Sequence, residues 1–428
     1  MLLIYIQKPT PRISYTFRQI FTEILGMEFK FTSKIEDFIA HDGMKFSYGK
    51  ESRGNELFVK SASLLWDQGI ENQKIKVESW GDSPCFFKTS ETSDLPFDIF
   101  AASFYLLSRY EEYLPHNNDR FNRYPAAESL AFKNDFLKKP VVDIWAFKFK
   151  RELQKRFSGE GKPVRKVINK NVLAVGEVYK YKKKGSIRTV GASLRDFFQF
   201  NITGLIERIR VLLFLKKDPY DVYEQLISFA KREKISWLFM FQLSNYSIYS
   251  KNISYNKTNY HALIKSMGDY GDLGLLAGLE AIQNFDTLKT EKKRWESIVN
   301  RPLKMILNNK YDLHLPEVYN NFDKLEIERD FSMGFVDEIG FRAGTGTPFL
   351  FYDIQLERIL PLVMETPVFN SRLMKEHSYF KVKTNLEEVR EEIEAIGGTI
   401  TLIFQNSDFY YFGEKCNQIL TKMNHSNE

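Results

Sequence analysis

Six histidines are the first places to look for metal or acid–base chemistry: His41, His116, His261, His314, His377 and His425. A zinc site built on one helix needs two imidazoles a turn apart, as in His-Glu-x-x-His. No two of the six have such a spacing within one helix or loop. Each reads singly, as a surface or capping side chain. Cys85 and Cys416 are the whole cysteine content, too little for a disulfide framework or a cysteine metal site. The chain has neither a Gly-x-Ser-x-Gly elbow nor a phosphate loop of the Gly-x4-Gly-Lys-Ser/Thr kind. One segment stands out. Residues 340–348, GFRAGTGTP, run a strand-like Gly-Phe into Arg342 and then into a loop whose glycines free the backbone. The same pattern also serves as a plain strand-to-loop turn.

Side chains of this kind need elements to hold them. In the C-terminal part, apolar strand candidates fall at 172–175, 235–241, 273–276, 340–342, 362–369 and 399–404. Helical patterns lie between them at 218–234, 260–267, 290–299 and 385–396, the first opened by Asp218 as cap and Pro219 in the first turn. Such alternation predicts a parallel α/β barrel or an open α/β sheet. The N-terminal part mixes strands at 1–6 and 74–80 with helices at 17–27, 97–114 and 145–157. The segment SGEGKP at 158–163 is the best break in the chain, which predicts domains at 1–157 and 165–424.

Composition narrows the classes. The chain has 428 residues, 43% apolar and 27% charged, so a large core is expected and global disorder is excluded. Most of the 37 Phe and 22 Tyr are expected in core packing. No apolar run reaches the length of a membrane span, and the start MLLIYIQKP reads as a strand stopped by Pro9, not as a secretory signal. With two cysteines, a cytoplasmic location is expected. The net charge is +6, but residues 147–185 carry thirteen basic and three acidic side chains. That stretch is either a solvated helix end, linker and loop, or a docking patch for a protein partner, an anionic polymer or a lipid surface. No nucleic-acid recognition motif accompanies it, so nucleic acid is not expected as a partner.

Several segments together resemble a known family. They are VLAVGEVYKYKKKG at 172–185, KDPYDVY at 217–223, DFSMGF at 330–335, the 340–348 segment with FLFYD after it, and 397–406. These are similar to the NodB-type polysaccharide deacetylases, in a bacterial subgroup with an extra N-terminal domain. FDI at 97–99, SRYEEY at 108–113 and 120–125 resemble that subgroup's accompanying domain. The resemblance implies an α/β fold: a distorted NodB-like (β/α)7 barrel preceded by a smaller mixed α/β domain. In that family an Asp and two His hold a metal, usually zinc. A second Asp takes the proton of the bound water, a His protonates the leaving amine, and an Arg positions the catalytic carboxylate.

At those positions this chain differs. Register on the Tyr-x-Tyr and Lys-Gly that follow places Ala174 and Gly176 where the two aspartates belong. Leu276 stands at one histidine position, Leu303 at another and Gln405 at the general acid, while Arg342 is retained. Leucine and alanine cannot ligate zinc, and glutamine cannot deliver a proton at neutral pH. The expectation is a non-catalytic member of envelope glycan metabolism, without metal or cofactor. It would bind a carbohydrate or glycan precursor, or a protein partner, in a cleft made apolar by Ala174, Leu276 and Leu303. Arg342, Asp330, Glu177, Tyr179 and Asn406 are the candidate cleft residues, with Arg342 unpaired and seeking an acid. Tyr179, Tyr181, Trp237 and Phe404 are candidate glycan-stacking rings. Two alternatives stay open. One is an active zinc-dependent N-deacetylase with a site relocated to Glu177, His314, Asp330 and Arg342. The other is an interaction protein built on the N-terminal domain, where Arg109, Arg120 and Arg123 form either an anion site or ion pairs.

Overall fold

A computed structural model describes residues 1–157 and 165–425. The break expected at 158–163 lies outside them. The first strand, β1 (Leu2–Tyr5), pairs in parallel with β2 (Phe29–Thr32) and β3 (Lys45–Gly49), and β3 with β4 (Phe58–Lys60). A short antiparallel pair, β5 (Glu78–Trp80) and β6 (Ser83–Cys85), follows. The buried helix Ile99–Leu107 starts at Asp98, whose Oδ1 accepts from Phe100 N and Ala101 N at 3.0 Å. Phenylalanine fills this core: the Phe17 and Phe100 rings stack at 4.0 Å, with Phe46 and Phe149 around them.

The second sheet has nine strands. Along the chain they are β7 (Val167–Val175), β8 (Trp237–Phe241), β9 (Gly271–Ala277), β10 (Met305–Asn308), β11 (Arg329–Asp330), β12 (Phe349–Asp353), β13 (Arg358–Met364), β14 (Pro367–Asn370) and β15 (Gly398–Gln405). Their order is β12-β13-β11-β10-β9-β8-β7-β15-β14. All pair in parallel except β12, which runs antiparallel on an edge. The edges β12 and β14 do not pair, so the sheet is curled but open rather than a closed seven-stranded barrel. Strands buried on both faces need apolar runs, as at 172–175. No helix among the described residues is long and apolar enough to cross a membrane.

The concave side is layered. Side chains of one strand alternate faces, so Lys170, Val172, Ala174 and position 176 share a side. Lys170 reaches across to the buried Glu365 (2.6 and 2.7 Å), which also binds Arg329 (2.7 Å), and these charges form the floor. Above lies an apolar layer of Val172, Ala174, Met240, Leu276, Leu307, Tyr311, Phe331 and Ile403. The C-terminal strand ends stand on top.

Three sequence expectations are corrected here. Residues 340–342 are loop, not strand. Gly340 sits at φ +147°, where a Cβ would meet Leu137 O at 2.4 Å, so the N-terminal part packs directly onto the backbone there. Asp218 does not open a helix, since the helix starts at Tyr223. It accepts instead from the backbone N–H groups of Lys180, Tyr181 and Lys182 at 2.8–2.9 Å, holding the basic loop in place. The single strand expected at 362–369 is split into β13 and β14.

Candidate functional site

A cleft of about 840 Å³ opens at the C-terminal ends of the parallel strands. In open and barrel α/β sheets this is where binding groups collect, because successive strands deliver their following loops to one rim. Gly176 and Glu177 follow β7, Gln242 follows β8, Asn309 and Lys310 follow β10, Arg372 follows β14, and Gln405 with Asn406 close β15.

Among the lining residues Glu177 is the single carboxylate, against Lys251, Lys310, Arg372 and Lys375. Glu177 is already taken, 2.6 Å from Lys184. Arg372 donates only to neutral acceptors: Asn309 O at 2.7 Å, Asn309 Oδ1 at 3.0 Å, and the Gln405 carboxamide oxygen at 2.8 and 3.1 Å when that amide faces it. Lys375 lies 3.4 Å from Asp408. The Lys310 and Lys251 ammonium groups have no hydrogen-bond or ion-pair partner among the described residues. Burial, then Arg372, Arg123 and Lys251, pushes the Lys310 pKa down. Burial also lowers that of Arg372, against the pull of Tyr311 and Asp408. The rings at the cleft are Tyr220, Tyr249, Tyr411 and Phe412, with the Tyr220 and Tyr411 hydroxyls 3.0 Å apart.

The family-derived positions divide. Gly176 lines the cleft, and a Cβ there would face Gln242, Leu276 and Asn309 at 3.6–4.0 Å, with room for a side chain. Ala174 and Leu276 lie just beneath, in the apolar layer. Gln405 lines the cleft and holds Arg372. Leu303 is elsewhere: it precedes β10 at the opposite end, buried in the outer core, its N–H donating to Glu296. None of these positions carries an imidazole or carboxylate. Among the described residues no three His, Cys, Asp or Glu side chains converge. The donor set does not fit zinc.

Nor do the four groups of a relocated site meet. Glu177 is on the cleft rim. His314 sits 2.9 Å from Asp312 and is half exposed. Asp330 is fully buried, accepting from Ser332 N, Ser332 Oγ and Tyr319 Oη, and burial raises it to about 7. Arg342, expected to be unpaired, is buried against Glu112 at 2.6 and 2.8 Å. That contact is part of a seam in which the N-terminal part grips the 340–348 loop. Glu112 also binds Arg109 at 2.7 Å, and Asp143 accepts from Thr345 Oγ1 and Gly346 N at 2.5 and 3.0 Å.

Other expectations are corrected likewise. The cleft is cationic and polar, not apolar, because its walls come from loop residues above the apolar layer. Tyr181, Trp237 and Phe404 are buried in the fold, and Tyr179 packs under Lys183 away from the cleft. Asn406 lines the cleft, but its amide is committed to Glu177 O (2.8 Å) and Tyr220 O (3.2 Å). Of the two readings of the N-terminal arginines, ion pairing is the one found: Arg109 and Arg123 pair with Glu111, Glu112 and Asp119, while Arg120 stacks on Phe121. Lys310, Arg372, Gln242 and Asn309 went unnoticed in the sequence. Their signal is position alone, one or two residues past a strand end.

Comparison with known proteins adds little. Residues 2–158 match a family of unknown function, DUF7033. No curated protein matches the chain in sequence. A crystal structure described as a polysaccharide deacetylase from Mycobacterium smegmatis overlays 62% of this chain and 87% of its own, at 10% identity and a TM-score of 0.37. That likeness is too weak to assign fold or chemistry.

Proposed function

We propose that this chain is a non-catalytic relative of the polysaccharide deacetylases, with domains at 1–157 and 165–424. Its cleft binds a glycan precursor that carries an anionic group, and does not hydrolyse it. The observation that carries this reading is the set of cations at the strand ends. Among the described residues Lys310 and Lys251 have no acid partner, and Arg372 donates only to neutral acceptors. Like charges brought together without counter-charge cost free energy, which a bound phosphate or carboxylate returns. Glutamine and asparagine side chains and three tyrosine rings supply the polar and stacking contacts a sugar needs. The missing carboxylates and imidazoles at 174, 176, 276 and 405 argue against hydrolysis.

The test is a thermal-shift series with N-acetylglucosamine 1-phosphate, N-acetylglucosamine and inorganic phosphate. The phosphorylated sugar is expected to stabilise the chain more than either piece, and Lys310→Met or Arg372→Met to weaken that effect about tenfold in apparent affinity. No shift with any probe overturns anion binding at this cleft. Acetate release, together with near-stoichiometric zinc retained after desalting, overturns the non-catalytic reading.

A further inference from the structure

Between β7 and β8 two helices, Ser186–Phe198 and Ile202–Leu212, form an antiparallel hairpin with its amphipathicity inverted. A surface helix normally turns its apolar stripe to the core. Here Ile187, Val190, Leu194, Phe197 and Phe198 recur at helical spacing along the first helix, and all are exposed. Ile202, Ile206, Ile209 and Leu213 do the same along the second. The buried side chains of the pair are Asp196, Arg208 and Val211. Phe200 and Phe214, just past the two helix ends, are 86% and 83% exposed. Both sit in the left-handed region, at φ +54° and +58°. A bulky side chain is disfavoured there, where glycine would serve. The sequence keeps a ring in water and a strained backbone at both turns.

The charges around this face have one sign. From 178 to 217 the only acids are Asp196 and Glu207. Asp196 is buried on Arg208, and Glu207 is tied inward to Lys180 (3.0 Å), Lys216 (2.6 Å) and Tyr181 Oη (3.0 Å). Arg195 and Arg210 are exposed among the apolar residues, with no acid partner among the described residues. Lys182 lies over the Phe214 ring. Exposed leucine and phenylalanine interleaved with unpaired cations match a lipid interface with anionic headgroups. A second copy of the same face would bring the arginines against one another.

We propose that the 186–215 hairpin docks this protein on an anionic bilayer surface, lying in the interface without crossing it. This holds whatever the cleft binds. Because Glu207 also accepts from Tyr410 at 3.1 Å, next to the cleft residue Tyr411, docking sets the cleft mouth beside the lipid.

The test is flotation of the full chain with phosphatidylcholine–phosphatidylglycerol vesicles and with phosphatidylcholine vesicles alone. The chain is expected to float with the anionic vesicles, and less so as salt rises. The combined change Phe197→Ser, Phe198→Ser, Phe200→Ser, Phe214→Ser is expected to lower partitioning at least about tenfold. Every ring removed is exposed, so the fold should survive. Arg195→Glu with Arg210→Glu, which keeps the rings, should abolish the preference for anionic vesicles. If the parent chain stays with neither vesicle, or the four-ring variant floats equally well, the proposal is wrong. It is also wrong if the parent sediments as a dimer, the four-ring variant as a monomer, and neither floats.

Discussion

Arg342 and Arg372 lie in the same domain and have opposite surroundings. Arg342 is enclosed at the seam with the N-terminal part, clamped by a carboxylate that a second arginine shares. Arg372 stands at the cleft with neutral acceptors and lysines around it, and the carboxylate that acts on it through space, Asp408, is shared with Lys375. The sequence pattern marks Arg342, inside a glycine-rich segment, as the functional arginine. The surroundings reverse that ranking. A fully compensated buried charge is scaffold, because its free energy is already returned within the fold. An uncompensated cluster is a place where something else belongs.

The contrast can be broken most forcefully at the seam. Glu112→Gln is expected to destabilise the chain by about 3–5 kcal/mol, since it leaves Arg342 buried without an acid. Denaturant unfolding reads this directly. A loss under about 1 kcal/mol would show that the seam is not the compensated region described. In the same variant, phosphorylated-sugar binding should persist wherever the chain remains folded.

A second effect is set by pH. Burial raises Asp330 from 3.8 to about 7. The folded chain therefore holds that proton to higher pH than the unfolded chain, and stability falls as pH rises through this window. Asp98 acts in the same direction, raised by burial to about 6. Glu112 has the opposite sign. Burial disfavours its charge, but Arg342 and Arg109 outweigh that and hold it at about 2, so its contribution is lost only on strong acidification. Melting temperature measured between about pH 4 and pH 8 should decline for the parent chain and decline less for Asp330→Asn. Equal slopes would remove Asp330 as the cause.

The smallest effect sharpens the cleft side. Lys310→Met removes one cation from a like-charged group, so without ligand it should be neutral or raise stability by up to about 1 kcal/mol. A clear loss of stability would mean that the ammonium has a structural partner and that the cleft is compensated after all.

What the sequence made legible follows from the range of each interaction. β7, β9 and β15 are evident because doubly covered parallel strands need largely apolar, β-branched runs such as 172–175 and 399–404. The helices at 260–267 and 290–299 are evident from local periodicity. The partner of Arg342 is 230 residues away in the chain, and no local pattern encodes it. The cleft cations carry no motif, only their place after strand ends, which needs the sheet order to be seen. The apolar spacing of 187–198 would read as an ordinary core helix. Only the fold shows that nothing among the described residues covers it.

The Lys170–Glu365–Arg329 floor has a mechanical consequence. A sheet with two unpaired edges can gape like a split ring, whereas a closed barrel is braced all round. Here the base is stitched by Lys170 and Arg329 on the buried carboxylate of Glu365, while the upper rim is held through neutral acceptors, by Arg372 on Asn309 and Asn370 on Tyr311. Opening of the split is therefore a hinge about the floor, and the mouth between the strand ends is the dimension that yields first. A ligand entering there meets the fold along its most compliant direction, and the work of widening the mouth is not shared by the stitched base.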